Sequence, residues 1–284
     1  MFPRSAPRVA ALVLSCLAAT LAQEAPSSAA ALEAQVSAAA ESARARTVLV
    51  VGVVGMGSGA VITPGGRVIT NAHVVAGARY ALCRWADGEQ RLMRRLGIDY
   101  AQDLALLEPA EALRAPLTCF TWRGSEPSAG TWVLGVGFPG GYRGDDWPVT
   151  SLGRITGSTA GNRVNGVFDY DGALRSDTPI FSGNSGGPLV DLEGHLIGLN
   201  GAAEIERASA LTIPEARIKA RLDDLAAGWI VLPTGLRLNP ERTPLLDLVY
   251  RSTDRIARQL PERLLAPGAR QANPDASRPG PAEA

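Results

Sequence analysis

Lysine is almost missing from this chain: Lys219 is the single one, and arginine supplies the other basic residues. The 28 basic side chains are balanced by 28 acidic ones, for a formal net charge of zero. Without a basic excess or a basic run there is no electrostatic footprint for nucleic acid, and that class of partner is not expected. Histidine occurs twice and cysteine three times, and none of them falls into metal-ligand spacing, so no metal is expected. The apolar run Val9–Ala22 is too short to span a bilayer. It follows Arg4 and Arg8 and ends in Thr20-Leu21-Ala22, with small residues where a signal peptidase reads. Residues 1–22 are therefore expected to be an export signal. The mature chain would be periplasmic or secreted, with no stable membrane span after cleavage. Cleavage removes Cys16 and leaves Cys83 and Cys119, which in an oxidising compartment could form a disulfide or remain two free thiols.

What is present is enough apolar material for one large or two small cores, 46% of 284 residues. Residues 23–45, rich in Ala, Ser and Glu, read as a linker or a short helix around Ala29–Glu41. At Thr47 the texture changes to short β-branched runs separated by Gly, Pro and Asp turns. The runs are Thr47–Val54, Ala60–Thr63, Arg67–Thr70, Tyr80–Trp85, Gln90–Leu96, Leu104–Leu107, Leu117–Trp122, Thr131–Gly137, Thr150–Thr156, Arg163–Tyr170, Pro188–Leu192, His195–Leu199 and Ala210–Ile213. About a dozen such strands at regular spacing predict an all-β antiparallel barrel or sandwich across residues 46–230. Glu215–Ala227 carries Ile218, Leu222 and Leu225 at helical spacing. Thr243-Pro244 has the form of a helix start, so 231–266 reads as a helical extension, and the Pro- and Ala-rich 267–284 as a disordered tail.

Three stretches carry chemistry. Gly183-Asn184-Ser185-Gly186-Gly187-Pro188 presents one hydroxyl among several residues without a side chain. That arrangement suits a nucleophile, whose tetrahedral intermediate needs unobstructed backbone N–H donors. His73 lies just past a strand end in Asn71-Ala72-His73-Val74-Val75, rigidly held yet reachable. The other histidine, His195, sits beside a Glu193-Gly194 turn and reads as an ordinary surface residue. Asp103 stands directly before the apolar run Leu104–Leu107, where a carboxylate can be held in low dielectric to accept a hydrogen bond from an imidazole. Asp99 is the alternative for that role.

Together these pieces resemble the trypsin-like serine peptidases, and within them the HtrA/Deg type. Gly57-Ser58-Gly59-Ala60-Val61-Ile62 before Thr70-Asn71-Ala72-His73-Val74-Val75 is similar to the family's histidine motif. Asp103-Leu104-Ala105-Leu106-Leu107 is similar to its aspartate motif, and Gly183–Leu189 followed by Ile197-Gly198-Leu199-Asn200 to its serine motif. The resemblance covers roughly Thr47 to Ala227 in the order His, Asp, Ser. It implies two antiparallel six-stranded β-barrels of the chymotrypsin/trypsin-like fold, with C-terminal helices following. It also implies a serine endopeptidase acting on polypeptides through an acyl-enzyme, in protein quality control. His73 would be general base, Asp103 its orienting acid and Ser185 the nucleophile. The Gly183, Asn184 and Ser185 turn would supply the oxyanion hole, and Pro179, Leu199, Asn200 and Gly201 would line the substrate site.

This sequence departs from the family's pattern in three ways. Asn184 replaces the acid that the digestive enzymes pair with a newly cut N-terminus, so no proteolytic activation switch is expected. Pro179 replaces the acidic specificity residue of trypsin, so a small or medium apolar residue before the scissile bond is the expected preference. The residues after Ala227 lack the length and strand pattern of the PDZ domains that HtrA proteins usually carry. The rival reading is a binding or chaperone-like module on the same fold, with weak or gated catalysis.

Overall fold

The computed structural model describes residues 28–141, 148–161, 163–164, 168–204 and 208–239, with 243, 250–251, 253–256 and 258–259 nearer the C-terminus. The chain divides into two units, Met1–Gln35 and Val36–Ala284. In the alanine-rich stretch, helix α1 (Ala29–Arg44) buries Ala39, Ala40 and Ala43. No helix among the described residues is long and apolar enough to cross a membrane.

The strands of the first barrel are β1 (Thr47–Val51), β2 (Met56–Val61), β3 (Val68–Thr70), β4 (Tyr80–Arg84), β5 (Gln90–Asp99) and β6 (Leu104–Pro109). They pair in the order β5-β4-β1-β2-β3-β6, and β5 closes the ring by pairing with β6. The second barrel is built from β7 (Trp132–Gly137), β8 (Val149–Ser158), β11 (Leu174–Ser176), β12 (Pro188–Val190), β13 (Leu196–Glu204) and β14 (Ser209–Pro214). It closes as β11-β14-β13-β12-β7-β8. Closure removes sheet edges, and it suits strands this short and this rich in Val, Ile and Leu. Two pieces, β9 (Arg163–Val164) and β10 (Phe168–Asp169), pair only with each other and replace the single strand expected there. Helix α2 (Glu215–Ala226) follows, with Ile218 and Leu225 buried.

The structure revises two boundaries. The segment Leu117–Trp122 is not a strand of either barrel. Among the described residues its only sheet pairing is a bridge from Trp122 to Leu196, while Leu117 and Phe120 donate to the carbonyls of Pro64 and Val61. The extension after residue 230 opens with strands rather than helix, β15 (Ile230–Val231) and β16 (Arg237–Leu238). β15 runs parallel to the far end of β5, with Ile230 opposite Ile98 and Val231 opposite Asp99. The chain thus returns to the first barrel. Helical residues beyond it follow suit: Tyr250 is buried in the first barrel's core, and Asp254 accepts hydrogen bonds from Arg79 N at 2.9 Å and Nε at 2.6 Å. The expected helix start at Thr243-Pro244 and the tail 267–284 fall largely or wholly outside the described residues, as does the signal 1–22.

The disulfide considered for Cys83 and Cys119 is not formed, and both thiols are free. Cys83 is enclosed on β4 between β1 and β5, whereas Cys119 belongs to the segment running beside the β2–β3 hairpin. A bridge requires two Cβ atoms facing each other at about 4 Å, and these cysteines occupy segments that are not neighbours in the sheet. Both pack against the first-barrel core instead, Cys83 fully buried and Cys119 half-buried.

Candidate active site

His73 sits in a single 3-10 turn, Ala72–Val74, immediately after β3. Its backbone N–H and its ring both point to one acid. The N–H donates to Asp103 Oδ1 at 3.1 Å, and Nδ1 lies 3.0 Å from Oδ1 and 2.9 Å from Oδ2. The Asp103 carboxylate is wholly buried while about a third of the His73 side chain stays exposed, so the ring can present its other nitrogen to solvent. Asp103 adopts a left-handed backbone, φ 53°, an uncommon conformation that Asp tolerates better than most residues. Asn71 Nδ2 holds the Asp103 carbonyl at 2.9 Å. Asp99 is engaged elsewhere, in a pair with Arg221 at 2.8 Å, and does not approach His73.

One partner of the acid was not foreseen from sequence. Tyr170, from the second barrel's side, donates its hydroxyl to Asp103 Oδ2 at 2.8 Å. Burial, and next the negative charge of Asp103, push this phenol well above its ordinary range, so it remains a donor. A second unforeseen neighbour is Phe168, whose ring centroid lies 5.8 Å from that of His73 at an interplanar angle of 50°. Neither residue belongs to a local motif, and no short-range sequence signal identifies them.

Ser185 is carried by a glycine-built turn docked against the first barrel. Its carbonyl accepts from Ser58 N at 2.8 Å. Gly186, at φ +80°, sits so close that a Cβ there would meet Thr70 Oγ1 at 2.2 Å, Ser58 O at 2.3 Å and Asn71 N at 2.9 Å. Ser185 is thereby fixed beside the chain leading into His73. The side chains of Ser185 and His73 are not hydrogen-bonded to each other here: Ser185 Oγ donates to the Gly201 carbonyl at 3.3 Å. Such contacts are often long or misaligned without substrate.

The preceding turn has a defined orientation. Asn184 N donates to Phe181 O at 2.9 Å, and the Ser182 carbonyl accepts from Gly140 N at 2.7 Å. The N–H groups of Gly183 and Ser185 donate to nothing among the described residues. Gly183 has φ +99°, and its carbonyl accepts from Ser58 Oγ at 2.7 Å. Asn184 is buried, with its Oδ1 directed at Gly137.

The residues expected to line the substrate site are dispersed. Pro179 is exposed on the segment between β11 and the turn. Leu199 and Asn200 are fully buried on β13, and Asn200 Nδ2 donates to Pro188 O at 3.2 Å. Their side chains are enclosed, so at these two positions only the backbone is left to meet a ligand. Gly201 falls where the β13–β14 register shifts, between Asn200 and Ala202, which frees its carbonyl for Ser185. A cluster of Asp191, Glu193 and His195 lies elsewhere, and Asp191 also pairs with Arg123 at 3.8 Å.

The family model described as trypsin-like peptidase domain matches residues 57–199, half of the chain. The chain belongs to the trypsin-like peptidase family. Among curated relatives of this family, a probable periplasmic serine endoprotease, DegP-like, from Brucella suis biovar 1 is 33% identical over 201 residues, covering 66% of this chain and 36% of the relative. A protein of the same description from Hahella chejuensis is 34% identical over 145 residues, covering 51% of this chain and 29% of the relative. The chain thus aligns with only about a third of the length of these relatives. Among solved structures, the serine endoprotease from Yersinia pestis is similar with a TM-score of 0.57 and 26% identity, covering 72% of this chain and 68% of that one. The Rv3671c protease of M. tuberculosis, in its inactive form, has the same fold at TM-score 0.57 and 24% identity, covering 72% of this chain and 98% of that one. The match to trypsin-like peptidases therefore rests on sequence and on the paired barrels alike.

Proposed function

We propose that this trypsin-like chain is an exported serine endopeptidase that hydrolyses polypeptides, in the periplasm or outside the cell, in protein quality control. The observation that carries the reading is the buried Asp103 bonded to the ring of His73, beside a serine whose own N–H, like that of Gly183, donates to nothing among the described residues. In this reading Ser185 Oγ attacks the scissile carbonyl and His73 Nε2 takes its proton. His73 then protonates the leaving amine, water activated by the same ring attacks the acyl carbon, and the ester to Ser185 breaks, releasing the carboxylic product as Oγ regains its proton. Asp103 fixes the tautomer of His73 and stabilises the imidazolium. The two N–H groups meet the oxyanion, a contribution worth roughly a hundredfold or more in rate. No carboxylate stands at Pro179 to receive a Lys or Arg side chain, which favours cleavage after small or medium apolar residues. A peptide library cut mainly after Arg or Lys would contradict that preference.

The test is covalent. A fluorophosphonate probe should label the mature wild-type protein and not Ser185→Ala, and casein should be degraded by the first alone. Equal, absent labelling of both would reject the enzyme reading. One observation favours a gated variant of it: Ser185 Oγ is turned to Gly201 rather than to His73. Labelling that accelerates when a polypeptide substrate is added would support gating.

A further inference from the structure

We propose that Tyr170 is a positioning residue of the catalytic apparatus, holding the Asp103 carboxylate from the second barrel in the orientation that serves His73. The assignment rests on the serine-hydrolase reading above.

The two carboxylate oxygens of Asp103 are held from opposite sides. Oδ1 accepts the backbone N–H of His73 at 3.1 Å, a bond within the first barrel. Oδ2 accepts Tyr170 Oη at 2.8 Å and lies 2.9 Å from His73 Nδ1. A carboxylate fixed at one oxygen can still turn about its side-chain bonds, and a second donor on the other oxygen removes that freedom. Hydrogen bonds to an ionised acceptor are short and roughly twice as strong as neutral ones, so the restraint is substantial. The phenol is buried, and its proton is held by burial and by the acid's charge, so it serves as a donor throughout the range in which a histidine base works.

The seat of Tyr170 is also built for this purpose. A Cβ at Gly201 would lie 1.9 Å from Tyr170 Oη, so only glycine leaves room for the hydroxyl. The same Gly201 carbonyl accepts Ser185 Oγ, which makes one bulge residue the neighbour of both the nucleophile and the acid's second donor. The tyrosine backbone is anchored by Thr159 Oγ1 and by Ala173 N, both donating to its carbonyl. Upstream, Asp169 N donates to Ala101 O at 2.8 Å and Arg217 Nη1 holds the Asp169 carbonyl at 2.8 Å. Phe168 flanks the His73 ring. Three consecutive residues, Phe168 to Tyr170, thus touch the base, the chain just before the acid, and the acid itself.

Tyr170→Phe keeps the ring and removes only the donor. With a fluorogenic peptide we expect kcat to fall about tenfold, the equivalent of one charge-assisted hydrogen bond, with KM within about twofold. Fluorophosphonate labelling should slow by the same factor. In an Asp103→Asn background, where the acceptor charge is gone, the same substitution should change the labelling rate by less than about twofold, because the two residues act as one unit. The proposal is overturned if wild type is labelled and Tyr170→Phe turns over at the wild-type rate. It is equally overturned if the loss is undiminished in the Asp103→Asn background, or if Tyr170→Phe fails to fold, since the hydroxyl would then be structural. Failure of the enzyme reading looks different: wild type and Ser185→Ala would both be unlabelled.

Discussion

The two barrels share an architecture and differ in how firmly each holds its part of the site. In the first, β1 is buried along its whole length, and the core extends continuously from Val48 to Leu107 and on to Ile230 and Tyr250. In the second, one core cluster comprises Val133, Ile155, Leu174, Leu189 and Ile197, and β8 leaves Val149 and Leu152 exposed. The same contrast holds at the site. Asp103 accepts bonds from His73 and Tyr170 and is enclosed, whereas Ser185 Oγ makes one 3.3 Å contact from a turn of glycines with positive φ. The half that carries His73 and Asp103 is preformed by packing and hydrogen bonds. The half that carries Ser185 is held mainly by backbone geometry, which can change with little loss of buried surface.

Substitutions can break this contrast, and the largest effect belongs to the chemistry itself. Ser185→Ala should lower kcat by about a millionfold, as expected where the residues of a triad act together, and Asp103→Asn by roughly ten-thousandfold, because an amide stabilises the wrong tautomer of His73. Steady-state kinetics on one peptide would measure both. Next comes the turn. Gly186→Ala adds a Cβ that would meet Thr70 and Ser58 at 2.2 and 2.3 Å, in a backbone conformation that alanine disfavours. A loss of about 2–4 kcal/mol is expected from strain and overpacking, read by urea unfolding, with activity lost first. A similar loss without any change in the Ser185 labelling rate would show the turn to be as rigid as the acid's setting.

A smaller effect is expected on the first barrel's side. Asp254→Ala removes the carboxylate that meets the backbone N–H, Nε and Nη2 of Arg79. With Arg79 a third exposed, the loss should be about 1 kcal/mol, seen as a lower melting temperature at unchanged kcat. The smallest concerns alkali. Tyr170 and Tyr100 both titrate above the ordinary phenol value of about 10. Their stabilisation is complete below that value and declines as pH rises through it, since the unfolded chain ionises first. Tyr170→Phe should therefore reduce the loss of stability on raising the pH through that range, measured by denaturant midpoints.

What could be read from the sequence was what lies close together in it. His73, Asp103 and Ser185 each stand in a short run whose residue types already state the local geometry: strand end, strand start, glycine turn. The strands were recognisable because β-branched runs between turn residues specify them locally. Tyr170 could not be found in this way. Its role depends on a contact 67 positions back along the chain, and its own surroundings, Phe168-Asp169-Tyr170-Asp171, read as an ordinary strand end. The same holds for Ile230–Val231, which looked like the exit from the domain and became a strand because the end of β5 offered a partner. Leu117–Trp122 shows the converse: its strand-like composition met no continuous partner and yielded a single bridge.

That late parallel pairing bears on how the protein is made. Along its first half β5 is flanked by β4, and at Ile98 and Asp99 the neighbour is instead β15, more than a hundred residues later. As the polypeptide emerges from the ribosome, this stretch stays uncovered until the whole second barrel and helix α2 have passed. The first barrel is the earlier to be synthesised and the later to be finished, and a chain interrupted anywhere before Ile230 would carry an open sheet margin.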